Sequence, residues 1–71
     1  MGVAMLGQIL KIEEGCFNDI LTIKLDNGQV LESRGFNIGQ KGVPLVSIGD
    51  CVSVELKWND LSKCNYIYSI S

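Results

Sequence analysis

The sequence predicts an all-β fold, a small five-stranded Greek-key barrel, and three observations predict it. Short runs rich in Ile, Val, Leu and Thr alternate apolar and polar with period two, the repeat of a strand with one wet face. Glycines at positions 7, 15, 28, 35, 39, 42 and 49 interrupt those runs at the spacing of turns between strands. The chain has 71 residues, room for one core and no second, so residues 1–71 are expected to be a single domain. At this length stability is thin, and a closed barrel suits it because closure leaves few unpaired strand edges.

The elements run in order along the chain. MLGQILKIEE (5–14) places Leu6, Gln8, Leu10 and Ile12 on one face and Gly7, Ile9 and Lys11 on the other. After the loop GCFND, ILTIKL (20–25) alternates Leu21, Ile23 and Leu25 against Thr22 and Lys24. Asp26-Asn27-Gly28 marks a hairpin, since Asn and Gly tolerate the positive φ that such turns need. A two-residue Asn-Gly loop would set Ile23 across from Glu32. A three-residue loop with Gly28 in a bulge sets Ile23 across from Leu31 and Thr22 across from Glu32, keeping apolar with apolar, and is preferred. QVLESR (29–34) is the third strand. GFNIGQKGVPLVSI (35–48) is a long connection, and its three glycines argue against anything more regular than a short helical or 3₁₀ turn. CVSVELKW (51–58) directs Val52, Val54, Leu56 and Trp58 inward; Asn59-Asp60 opens a turn, and YIYSI (66–70) is the fifth strand. Five strands, one tight hairpin and one long middle connection suggest a barrel of the oligonucleotide-binding (OB) type.

Composition then narrows the function. The chain has no histidine, and its three cysteines, Cys16, Cys51 and Cys64, form no CxxC pair. A His-dependent triad is impossible, and zinc lacks its usual ligand sets. No glycine-rich phosphate loop or paired carboxylates occur either, because Glu13 and Glu14, being adjacent, point to opposite faces of an extended strand. We therefore expect no enzyme, no metal and no cofactor, and a reducing compartment in which the three thiols are free. No apolar run approaches the roughly 18 residues of a membrane span, and MGVAMLGQIL lacks the basic start of a signal peptide, so a cytoplasmic protein with no membrane partner is expected. Six Lys and Arg against eight Asp and Glu give a net charge of −2, which weighs against a surface devoted to phosphate.

Two segments resemble a known family. KLDNG (24–28) and GDCVSVELKWNDLSK (49–63), with the interval between Asn27-Gly28 and Gly49-Asp50, are similar to the hairpin, fourth strand and last turn of bacterial translation initiation factor one. The resemblance covers residues 6–71, with about three extra residues around GCFND. It implies an OB-fold, monomeric and cytoplasmic, that docks on RNA of the small ribosomal subunit or on other single-stranded RNA. That family carries a basic cluster in its long connection; in GFNIGQKGVPLVSI the only charge is Lys41.

On an OB barrel the residues expected to meet nucleic acid are Arg34, Phe36 and Lys41, in or beside the third strand and long connection, and Lys57, Trp58 and Lys63 around the last turn. Each has a structural alternative. Phe36 would plug one end of the barrel, Trp58 would cap the core because it keeps the inward parity of Val54 and Leu56, and the charges would simply be solvated. Tyr66 and Tyr68, on one face, are expected in cross-strand packing. Asp50 and Asp60 are expected to hold the turns before and after the fourth strand through bonds to backbone. The alternative to RNA binding is a diverged small barrel of the OB or SH3-like kind whose partner is a protein.

Overall fold

The structure, a computed structural model, describes residues 3–71, and it is all-β. Its five strands are, in chain order, β1 (Val3–Glu14), β2 (Asp19–Leu25), β3 (Val30–Phe36), β4 (Cys51–Asn59) and β5 (Cys64–Ile70). They form one antiparallel sheet in the order β3-β2-β1-β4-β5. The sheet curls until its edges, β3 and β5, approach each other without a ladder between them, giving a nearly closed OB-like barrel. Among the described residues there is no helix, so none is long and apolar enough to cross a membrane.

The curl originates in β1. Its first half pairs with β4, from Val3↔Leu56 to Gln8↔Cys51, and its second half with β2, from Gly7↔Leu25 to Glu14↔Asp19. Gly7 and Gln8 belong to both ladders, so the strand must bend there. Gly7 has no side chain to obstruct the bend; a Cβ on it would lie 2.6 Å from Cγ2 of the buried Ile23. A bulge comes next at Leu10, between the pairs Ile9↔Ile23 and Lys11↔Thr22. One extra residue reverses the facing of every later side chain in the strand. Ile9 therefore points into the core before the bulge and Ile12 packs against it after, while Leu6 and Leu10 stay exposed. The strict two-residue alternation expected for this strand, with Leu6, Leu10 and Ile12 sharing a face, does not hold.

β2 and β4 keep to their sequence pattern, whereas β5 is bulged at Tyr68, between the pairs Leu56↔Ile67 and Glu55↔Ser69, so that its buried residues Ile67 and Ile70 stand three apart. Leu21, Ile23 and Leu25 of β2, Val52, Val54 and Leu56 of β4, and Ile67 and Ile70 of β5 complete the core with Ile9. The β2–β3 hairpin has the three-residue loop: Ile23 faces Leu31, Thr22 faces Glu32, and Gly28 adopts φ +88°. Leu25 N–H donates to the Gln29 carbonyl at 2.7 Å and Gly28 N–H to the Leu25 carbonyl at 2.9 Å, closing the turn.

The long connection contains turns only, yet it is not a loose loop. Val43 is buried, and Ile38 and Val46 pack on the core beside Phe36, so the segment covers the barrel's apolar interior. Its first turn is tied to β2: Ile38 N–H donates to Asp19 Oδ2 at 2.9 Å, and Asp19 N–H donates to Asn37 Oδ1 at 3.1 Å. Its last is tied to Asp50, whose Oδ2 accepts from Ser47 N–H at 2.8 Å, the turn role expected of that aspartate.

Candidate nucleic-acid interface

The barrel exterior divides into two faces of different chemistry. The outer face of β1, β2 and β3 carries Lys11, Glu13, Thr22, Lys24, Glu32 and Arg34. Lys11 Nζ sits 2.5 Å from Glu13 Oε1, and Arg34 places Nη2 at 2.6 Å and Nε at 2.9 Å from Glu32 Oε1. The bond and charge from Glu13 raise the pKa of Lys11, with Glu32 adding to it; Lys11, and then Arg34, lower that of Glu13. The four charges form a quartet of alternating sign that satisfies itself. Arg34 is therefore less available to phosphate than its exposure suggests. OB barrels use the strand 2–3 face with the first and last hairpin loops for oligonucleotides, and here the quartet cancels its own charge on that face and leaves Lys24 as the one cation outside a salt bridge among its described residues.

The outer face of β4 and β5 is different. Lys57 lies opposite Tyr66, and its Nζ sits 3.3 Å from the centroid of Tyr68, a cation–π contact. Both tyrosines are exposed, so they line an accessible strip instead of serving only as packing. Trp58 is 56% exposed, which corrects the expectation that it caps the core. Its inward parity is real, but the ring lies beyond the core residue Leu56, on the hairpin ribbon where Trp58 pairs with Asn65. Its Nε1–H donates to Asp60 Oδ1 at 2.8 Å, which steadies the ring. The turn itself is held by Asn59, whose Oδ1 accepts from Leu61 N–H at 2.8 Å and Ser62 N–H at 3.3 Å, so Asp60 does not have the backbone role expected of it. Lys63 closes the turn at φ 56°.

The six candidate residues are thus brought together only in part. Lys57, Trp58 and Lys63 share the β4–β5 hairpin, Arg34 and Phe36 lie on β3, and Lys41 stands exposed in the connection. Phe36 is half-buried against the core, as its structural alternative required. Among the described residues, Lys24, Lys41, Lys57 and Lys63 have no acidic partner within 4.0 Å. Sequence reasoning missed Phe17, 92% exposed in the β1–β2 loop at a shallow groove of about 410 Å³ that Cys16, Ile20 and Arg34 also line. The signal was available: an aromatic inside GCFND, between residues that favour turns, has no strand to carry it inward. Among the described residues, no cluster of His, Cys, Asp or Glu could hold a metal ion.

No protein-family model, curated protein or solved structure matches the chain.

Proposed function

We propose that the protein is an RNA-binding OB module of the cytoplasm that docks on unpaired RNA, of the small ribosomal subunit or another molecule, and holds bases chiefly by stacking. One observation carries this reading: a single hairpin presents three exposed rings, Tyr66 and Tyr68 on its outer face and Trp58 on the other, with two cations, Lys57 and Lys63, that have no acidic partner among the described residues. Every base has a π-face, so such rings tolerate sequence, and stacking does not require the dense positive charge this chain lacks. The family resemblance of KLDNG and GDCVSVELKWNDLSK supports the ribosomal version.

The test is a titration of short, fluorescently labelled single-stranded RNA with the protein, read by anisotropy at several salt concentrations. Loss of one stacking ring costs about 1–3 kcal/mol, so Trp58→Ala should weaken binding roughly 5- to 150-fold. With two or three cations engaged, the log–log salt slope should be shallow, about −1.4 to −2. Absence of binding at low salt, or binding indifferent to Trp58, removes the proposal.

A protein partner is the second reading. It is favoured by Phe17, Leu45 and Leu61, which are 92%, 83% and 96% exposed in separate loops, together with the net charge of −2. A complex that survives nuclease and high salt would support it over RNA.

A further inference from the structure

Three strands carry opposite charges two residues apart on one face, a spacing of roughly 6–7 Å along an extended chain that lets such side chains meet. Lys11 and Glu13 on β1 close into a salt bridge, and so do Glu32 and Arg34 on β3. Glu55 and Lys57 on β4 do not. Lys57 turns instead to the ring of Tyr68, with Nζ 3.3 Å from its centroid. Glu55 is half-buried, and the described residues offer its carboxylate one hydrogen bond, a long one from Ser69 Oγ to Oε1 at 3.5 Å. Its cross-strand neighbours are Ala4 on β1 and Ser69 on β5, both too small to cover it. Glu55 and Lys57 thus stand side by side, uncombined, next to the exposed rings of Tyr66 and Tyr68 on the same outer face.

We propose that Glu55 and Lys57 read guanine in the bound RNA, a base preference that rests on the RNA-binding reading above and adds to it. A base stacked on Tyr66 presents its edge toward β4, where Lys57 lies directly opposite and Glu55 two residues beyond. A carboxylate only accepts hydrogen bonds, and an ammonium only donates them. Guanine alone offers two adjacent donors, N1–H and N2–H, for the two carboxylate oxygens, next to an acceptor, O6, for the ammonium. Adenine, cytosine and uracil each turn one donor toward the carboxylate and leave its other oxygen without one. The unstacked bases of single-stranded RNA are read at this edge. The pairing also accounts for an acidic group in the middle of a surface that meets RNA. Unmatched, the Glu55 carboxylate repels the phosphate backbone, whereas a guanine replaces its water with two donors.

The test is the anisotropy of labelled RNA octamers titrated with the whole chain, one all uracil and the others with a single central guanine, hypoxanthine or adenine. The guanine RNA should bind about 5- to 150-fold tighter than the all-uracil RNA, the range of one good bidentate base contact. Hypoxanthine, which lacks only the N2 amino group, should lose most of that gain, and adenine all of it. Glu55→Gln should cut the guanine preference to the hypoxanthine level, because an amide keeps one acceptor and turns a donor toward the other guanine N–H. Its affinity for the all-uracil RNA should be unchanged or higher, since a negative charge is removed. If no RNA binds at low salt, the RNA-binding reading falls and guanine recognition with it. If the four RNAs bind alike, or another base is preferred, while Trp58→Ala still weakens them, RNA binding stands and guanine recognition is overturned. A guanine preference that hypoxanthine retains in full, or that Glu55→Gln leaves intact, overturns it as well. The hypoxanthine comparison uses the wild-type chain, so it holds whether or not the variant folds.

Discussion

Substituting Gly7 by alanine tests whether the bend in β1 depends on a bare backbone. The added Cβ would lie 2.6 Å from Ile23 Cγ2, 3.3 Å from Leu25 Cδ2 and 3.4 Å from the Lys24 carbonyl oxygen. Ile23 is fully buried, and its β-branched side chain is stiff about χ1, so the neighbour cannot simply swing aside. Overpacking of this kind costs about 1–3 kcal/mol. Against it stands the roughly 0.4–1 kcal/mol gained because alanine restricts the unfolded chain. The net loss is about 0–2.5 kcal/mol, a sizeable share of the roughly 4–11 kcal/mol that typical per-residue stability gives a chain this long. Thermal unfolding followed by circular dichroism should show a Tm lowered by up to about 20 °C. Ile23→Leu moves the clashing methyl off Cβ and alone costs under about 1.5 kcal/mol. Combined with Gly7→Ala it should cost less than the sum of the two, with a coupling of at least about 0.5 kcal/mol. A Gly7→Ala protein more stable than wild type, or strict additivity with Ile23→Leu, would refute the packing argument.

Two further outcomes are expected. Gly28→Ala meets no neighbouring atom but inherits φ +88°, so it should lose about 1 kcal/mol in urea denaturation, whereas Gly28→Asn should be close to neutral, and neither should change the Ile23–Leu31 pairing seen by NMR. For the charge quartet, Glu13 has a lowered folded pKa, so its contribution to stability is present above the ordinary Glu value of 4.5 and is lost as pH falls through the folded value. Lys11 has a raised one, so its contribution is present below 10.5 and is lost as pH rises through its folded value. Glu13→Gln should flatten both limbs in denaturation midpoints measured across pH; the effect should be small, because both groups are solvated, and should shrink with salt.

Much of the fold was legible because its determinants are local. The Asp26-Asn27-Gly28 loop fixes the β2–β3 register within a few residues, and the Val52, Val54 and Leu56 alternation assigns β4 without reference to anything distant. β1 was not legible in the same way. Its parity changes at Leu10, and a bulge is a response to two partner strands that no single-strand pattern contains. Trp58 failed for a related reason. Parity gives the direction of a side chain but not whether anything packs over it. The candidate site was legible as chemistry, from Lys57, Trp58 and Lys63 in one segment, but the neutralisation of Arg34 by Glu32 and the exposure of Phe17 depend on placement across strands and in a loop.

The topology also dictates the order in which this barrel can assemble. β1, β2 and β3 form a meander through two short loops, and β4 and β5 a hairpin, so each unit can zip without waiting for the other. The β1–β4 ladder, by contrast, must bring Val3 to Leu56 across nearly the whole chain. Searching for so distant a partner is slow compared with closing a short turn. The rate of folding therefore resides in six residue pairs between Val3–Gln8 and Cys51–Leu56, and a lesion there delays the native state even where its equilibrium cost is slight.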